Sequence, residues 1–334
     1  VAINNAANAV ELLKYIAPNV YFKGIEYKEA AEDVTGGITL ERQAVESVGG
    51  VIEFSDKLTF SSSALINQHL DVLPDEVTDF LVKFKQEHSE EEILNYLDKA
   101  SKLKVLIVGE TIIDEYKYCQ AIGKSSKEPV LVVKDLETEK FAGGVLAVAN
   151  HVANFSENVG LVSFLGSYDT DLDFIRKKLN ETVQTHFLAR KDSPTIVKKR
   201  YIEQYFFSKL FEVYQINDAM LDPVDEDVLC KTLEKEIPKY DVVIVVDFGH
   251  SMLTPKATDI ICNQSKFLAL NTQSNAGNLG YNTISKYPRA DHISLAENEM
   301  RLEERDRQGD LKPMLKDVAE KLSAKTVVVT RGSK

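Results

Sequence analysis

Cysteine is scarce in this chain: three residues in 334, Cys119, Cys230 and Cys262. They lie far apart and fit neither a disulfide framework nor the paired spacing of a metal site, so a reducing, cytoplasmic setting is expected. No apolar run approaches the roughly 20 residues of a membrane helix. The N-terminus carries no basic start followed by an apolar signal core, so neither a membrane span nor a targeting segment is expected. Basic charge is also short: Lys and Arg total 40 against 52 Asp and Glu, a formal charge of −12, with no concentrated basic patch. Such a balance repels a phosphate backbone and argues against a nucleic-acid partner. Also missing are G-x-x-x-x-G-K-[ST], G-x-S-x-G, H-E-x-x-H and a dinucleotide G-x-G-x-x-G at a strand-to-helix junction. Phosphate-loop hydrolase, serine hydrolase and zinc protease chemistries drop out with them.

What remains is a globular composition, 44% apolar and 28% charged, and a length that suggests two domains at roughly 150 residues each. The stretch Phe80 to Lys102 is charged, lacks Gly and Pro, and sets Ile93, Leu94 and Leu97 at helical spacing; it reads as a helical linker. Upstream, NVYFKG reads as a strand, VTGG as a turn, LERQAVESVGG as a helix ending on glycine and VIEFSD as a second strand. Downstream, KVLIVGE is a continuous apolar strand of the kind buried on both faces of a parallel sheet. GGVLAVANHVANF (helix), GLVSFLG (strand), TDLDFIRKKLNE (helix) and DVVIVVDFG (strand) continue the alternation, which implies right-handed βαβ crossovers and an open sheet covered by helices. EPVLVVKDLETEKF and TIVKKRYIEQYFFSKLFEVYQIND alternate polar and apolar residues and read as hairpins of a small separate sheet. The opening helix without a strand before it and the closing KTVVVTRGSK strand read as cut ends of a longer polypeptide.

In an open α/β sheet, ligands bind where loops converge at the carboxyl ends of the strands. Glu110 and Asp114 follow the first long strand, in VGETIIDEY. Carboxylates there can accept hydrogen bonds from sugar hydroxyls; a helix cap or surface acid accounts for them equally well. Gly143 and Gly144 precede a helix, where bare backbone lets a ligand approach free amides, although a tight turn is the simpler account. Asp247, with Gly249, follows the most apolar strand, and packing explains an acid there poorly. His250 and Ser251 beside it can contact a phosphate or merely be exposed. Lys198 and Arg200 alternate with period 2 and share one strand face, suited to an anionic group or to solvent. Glu299 follows the strand-like HISLA; it can orient magnesium through water, or be one charge on a solvated acidic helix.

From about Lys104 to Lys334 these residues resemble the ribokinase-like (PfkB-type) sugar kinases, in particular the branch that phosphorylates heptose 7-phosphate. KVLIVGETIIDEYKYC, EPVLVVKD, AGGVLAVANHVANF, SPTIVKKRYIE and VVDFGHSMLT come in that family's order and spacing. NVYFKGIEYK through ITLERQAVESVGGVIEFSDKLTFSSSALIN is similar to the C-terminal half of an HxGH-class nucleotidylyltransferase, as fused to those kinases in a bifunctional ADP-heptose synthase-like protein. The resemblance implies an α/β fold: a ribokinase-like open, mostly parallel sheet with a small β lid, preceded by a partial Rossmann-like unit. Its expected divisions are 1–70 for the transferase part, 71–102 for the linker and 103–334 for an incomplete kinase domain. It implies ATP and Mg2+, a sugar or sugar-phosphate acceptor, and a homodimer formed through the lid, whose exposed edges invite pairing. Glu110, Asp114, Gly143, Gly144, Asn150, Lys198, Arg200, Asp247 and His250 would bind substrate. Asn271, Glu299, Thr330 and Gly332 would serve nucleotide and magnesium, and Lys23 with Ser61, Ser62 and Ser63 would meet phosphate in the transferase part. The HxGH segment is expected before Val1, and the G-A-G-D segment with the catalytic aspartate beyond Lys334.

The chain departs from the family pattern at four places. Ala147 and Ala296 stand where Asn is usual, His250 replaces a Lys, and Asn271 stands at an acidic position. These departures also fit a catalytically inactive sugar-binding or scaffolding protein, or a parent in which nucleotidylyl transfer is the main activity.

Overall fold

The computed structural model describes residues 8–24, 37–54 and 73–332. The chain divides into two compact units, Val1–Ser89 and Glu90–Lys334. In the first, a helix Val10–Ile16 precedes strand β1 (Val20–Lys23), and a helix Gly37–Ser47 precedes strand β2 (Val51–Phe54). The two strands pair in parallel, with Val20 opposite Val51. Leu13, Ala44 and Val45 form the small core. Gly49, at a φ of 83°, follows the helix end, the left-handed position that glycine takes without a Cβ penalty.

The expected linker is helical but not one helix. Helices Asp75–Glu87 and Glu90–Ser101 are separated at His88, whose backbone is extended. Serine followed by three glutamates explains the restart: Ser89 is a favoured N-cap residue, and Glu90, Glu91 and Glu92 fill the first turn, where negative charge suits the helix dipole.

The second unit is built on a seven-stranded sheet. Its strands are β3 (Lys104–Gly109), β6 (Asn158–Tyr168), β7 (Val183–Pro194), β10 (Val242–Asp247), β11 (Leu268–Thr272), β12 (His292–Ala296) and β13 (Thr326–Thr330). They lie in the order β13-β12-β11-β10-β3-β6-β7, every pair parallel. Both faces are covered. Leu106 and Val108 pack with the helices Pro223–Glu236, Pro255–Gln264 and Leu311–Lys321 on one side. Val105 and Ile107 pack with Val145, Leu146, Ala149 and Ile175 on the other. The unbroken apolar run of β3 is therefore the signature of two-sided burial.

A four-stranded lid lies apart from this sheet: β5 (Leu131–Gly144), β4 (Thr111–Lys124), β8 (Ile196–Glu203) and β9 (Ser208–Gln215), in that order. β4 with β5 and β8 with β9 are antiparallel, and β4 with β8 is parallel. The segment after the first long strand is thus itself a 14-residue strand, which moves Asp114 from a loop onto the lid. The architecture is the expected α/β arrangement of an open parallel sheet with a small β lid.

Candidate functional site

Strand order reverses between β3 and β10: the chain winds outward from β3 through β6 to β7 on one side and through β10 to β13 on the other. The carboxyl ends of these two strands flank the crevice where an open α/β fold binds ligands. Glu110 and Asp247 sit there, one at the end of each strand.

Neither carboxylate is open to a hydroxyl. Glu110 is buried, and its two oxygens accept the backbone N–H of Phe248 at 2.9 Å and of His250 at 3.1 Å. Burial first, then the charge of Asp247, pushes its pKa up to about 7. Asp247 is 1% exposed and accepts from the Tyr287 hydroxyl at 2.7 Å, the Asn282 side-chain amide at 3.1 Å and the Gly249 N–H at 2.9 Å, with the Lys286 ammonium paired to it. These two acids therefore fix the loop that follows β10. Gly249 is required in that loop: its φ is 70°, and a Cβ would press on the side chains of Asn278 and Asn282.

His250 is fully buried. Its Nδ1 lies 3.2 Å from Asp218 Oδ1, and its Nε2 has no hydrogen-bond partner among the described residues. Burial, reinforced by the charge of Lys198, lowers its pKa. Arg190 on β7, also buried, donates to the carbonyls of His250 at 3.0 Å and Ala219 at 2.6 Å, joining the loop after β10 to the chain that leaves the lid.

The register of the lid strands assembles the remaining site residues. Phe141, Asp114, Lys198 and Tyr214 are direct neighbours across all four strands, and Glu139, Tyr116, Arg200 and Glu212 form the next row on the same face. Lys198 and Arg200 share a face as their period-2 spacing predicts. Arg200 pairs with Asp114 and lies 5.4 Å over the Tyr116 ring; burial opposes its charge, but Asp114 more than offsets this and its pKa is raised. Lys198 is 5% exposed, with its ammonium 5.2 Å from the Tyr214 ring and 5.8 Å from the Phe248 ring. Burial lowers its pKa. Its contact with Phe248 brings this lid face to the loop after β10. Beside it, Asp114, Tyr116, Tyr118 and Phe141 line a cavity of about 240 Å3. An aromatic wall next to a carboxylate and two cations offers both the apolar face and the polar groups that a sugar presents.

Gly143 lies against Asp114, and a Cβ there would run into the carboxylate. Gly144, at a φ of 55°, opens the helix Val145–Val152, whose first N–H bonds the Glu110 carbonyl at 3.1 Å. Asn150 is not brought to this cluster. It sits at the far end of that helix, and its amide bonds the Lys178 carbonyl and the Asn180 N–H at 2.9 and 2.8 Å. Eight helical residues span about 12 Å, so a glycine at the helix start does not carry its sixth residue into the site.

A second cavity, about 770 Å3, opens at the ends of β11 and β12, lined among others by Gln273, Ser274, Ala296, Glu299, Arg305 and Arg307. Glu299 accepts the N–H groups of Ser274 at 3.2 Å and Ala296 at 2.7 Å, as a helix cap does, and burial raises its pKa. The described residues hold no cluster of three potential metal ligands. Glu299, with both oxygens occupied by backbone, does not by itself make a magnesium site. Thr330 is exposed opposite Ala296 in the ladder, and Gly332 lies just beyond it. Asn271 donates to the Ser294 carbonyl at 2.8 Å and is tied into the sheet.

In the first unit, Lys23 pairs with the buried Glu41 at 2.7 Å. Glu41 also accepts from the Tyr21 hydroxyl. Ser61, Ser62 and Ser63 lie outside the described residues. Sequence reasoning missed Arg190, Asp218, Tyr214, Asn282, Lys286 and Tyr287, none of which lies in a motif.

No protein-family model matches the chain. Its sequence is similar to curated bifunctional proteins named HldE. It is 29% identical over 161 residues to that of Actinobacillus pleuropneumoniae serotype 5b, covering 48% of this chain and 33% of the relative. It is 26% identical over 176 residues to that of Campylobacter jejuni strain RM1221, covering 53% and 36%. The match thus spans about a third of the length of these relatives. Among solved structures, phosphofructokinase-2 from Escherichia coli in complex with fructose-6-phosphate superposes with a TM-score of 0.51 at 12% identity, covering 69% of this chain and 74% of that one. The tetrameric inhibited form of the same enzyme gives 0.50 at 13% identity, covering 69% and 74%. The second unit therefore has the ribokinase-like α/β fold, in a chain whose sequence is similar over about half its length to HldE proteins.

Proposed function

We propose that the second unit is an ATP-dependent carbohydrate kinase domain that takes heptose 7-phosphate, part of a bifunctional sugar kinase and nucleotidylyltransferase. The observation that carries this reading is the row Phe141, Asp114, Lys198 and Tyr214 on the lid, brought by Lys198 and Phe248 to the topological switch point. Asp114, Gly143 and Gly144 would hold sugar hydroxyls. Lys198 and Arg200 would meet the anionic end of the acceptor. Glu110, Asp247 and His250 would shape the floor through the loop they hold. The cavity beside Glu299 would receive ATP, and Asn271, Thr330 and Gly332 would serve the nucleotide. Catalysis in such a site rests on positioning and charge neutralisation, part of which magnesium would supply when bound. The first unit would be the C-terminal part of the nucleotidylyltransferase, with Lys23 near its phosphate site, and the lid edges would pair two copies.

The test is phosphoryl transfer by the complete natural polypeptide, followed as ADP formed from ATP with heptose 7-phosphate, fructose 6-phosphate and unphosphorylated sugars. Turnover confined to the heptose phosphate is expected, and turnover on none of them would refute the reading. A second reading, sugar binding without transfer, is favoured by Ala147 and Ala296 at positions where the kinases carry Asn. It predicts heptose phosphate binding with no ADP.

A further inference from the structure

The helix Asp75–Glu87 buries none of its residues. Thirteen residues make a marginal helix in water unless tertiary packing supports it. Its apolar residues nevertheless recur at Val77, Phe80, Leu81 and Phe84, the i, i+3, i+4, i+7 spacing of a single face. Val77 and Phe80 remain 39% and 60% exposed, and the Phe80 and Phe84 rings stack at 5.7 Å. The stripe is symmetric in sequence about the step between Phe80 and Leu81: Val77 and Phe84 are equally distant from it. The charges are opposed about the same point, with Asp75 and Glu76 at the start and Lys83 and Lys85 toward the end. Glu76 and Lys83 are seven residues apart, about two turns, and so lie on the same flank of the stripe. Neither has an ion-pair partner among the described residues.

We propose that this helix docks on the same helix of a second copy of the chain, antiparallel, across a two-fold axis at the Phe80–Leu81 step. Val77 then meets the partner's Phe84, and Phe80 and Leu81 close the centre. Glu76 faces the partner's Lys83, and symmetry repeats the pair. A parallel arrangement would set like charge beside like at both ends. In a two-fold contact each pairing occurs twice, so the acidic start and basic end of one helix meet their opposites on the other. This contact is separate from the lid and does not depend on the assignment of the site.

The experiment is sedimentation of the full chain from sub-micromolar to hundreds of micromolar, with charge variants and a cysteine cross-link. Two helices about 20 Å long offer less than the roughly 1,200–2,000 Å2 of a standard interface, so a concentration-dependent dimer is expected. Glu76→Lys alone and Lys83→Glu alone should each weaken dimerisation about tenfold at low salt, and the double exchange should restore it. Both side chains are exposed, so folding is not at stake. The native cysteines are buried, so oxidation of Phe80→Cys should give a covalent dimer through the new thiol, an outcome that lid pairing cannot produce. A monomer at every concentration, a double exchange no better than the single ones, or the absence of a Phe80→Cys cross-link in a sample that dimerises would each overturn the proposal. The last outcome would assign the dimer to the lid and leave the stripe to another segment or protein.

Discussion

The carboxylate of Glu110, at the end of β3, accepts the backbone N–H of His250, three residues past the end of β10, at 3.1 Å. This bond crosses the point where strand order reverses, and with the Phe248 N–H it fixes the loop on which the site rests. Its strength depends on the proton of a group raised to about 7.

The pH dependence follows from that position. A carboxyl whose pKa is higher in the folded than in the unfolded chain contributes stability that is fully present below its unfolded value of about 4.5 and is lost as pH rises through about 7. The whole effect is at most about 3 kcal/mol. Urea midpoints at several pH values should show the wild type losing stability relative to Glu110→Gln between these limits, and constant afterwards. Parallel profiles would mean that Glu110 is not held protonated.

Asp247 has a structural role that its place in the sequence does not announce. Removing its carboxylate leaves the Tyr287 hydroxyl and the Gly249 N–H without their acceptor and the Lys286 ammonium without its counter-charge. Asp247→Ala is expected to cost about 3–5 kcal/mol in chemical denaturation, and Tyr287→Phe about 1–2 kcal/mol. A loss below 1 kcal/mol for Asp247→Ala would show that water replaces the network.

Much of this arrangement was legible in the sequence, for definite reasons. The run KVLIVG names a strand buried on both faces because no polar residue interrupts it, and the two-residue spacing of Lys198 and Arg200 placed them on one face. Register was not legible: nothing in the residues around Asp114 says that Lys198 will stand beside it, since 71 residues lie between the end of β4 and the start of β8. Arg190 lay on β7, an amphipathic strand with no motif. Asn150 was misplaced because motif spacing says nothing of where a helix points.

His250 is expected to stay neutral under conditions where an exposed histidine is half protonated. Burial and Lys198 both oppose its charge, and Asp218 favours the tautomer with the proton on Nδ1. Nitrogen NMR should place its midpoint below 6.5, and a midpoint at or above that value would show that Asp218 dominates.

Gly143 tests the contact between the lid and the helix start. Gly143→Ala directs a methyl at the Asp114 carboxylate, which must leave Arg200 or shift the strand. Sugar-phosphate affinity should fall about tenfold or more with the far-ultraviolet circular dichroism unchanged. Undiminished affinity would separate Asp114 from the acceptor.

The most direct test is calorimetric titration of heptose 7-phosphate into this chain, into Asp114→Ala and into Lys198→Met. Binding by the parent chain that falls at least about tenfold in each variant, while both variants keep their folded spectra, is the predicted result. No heat with the parent chain, or equal affinity in all three proteins, would contradict a sugar-phosphate site on this face of the lid.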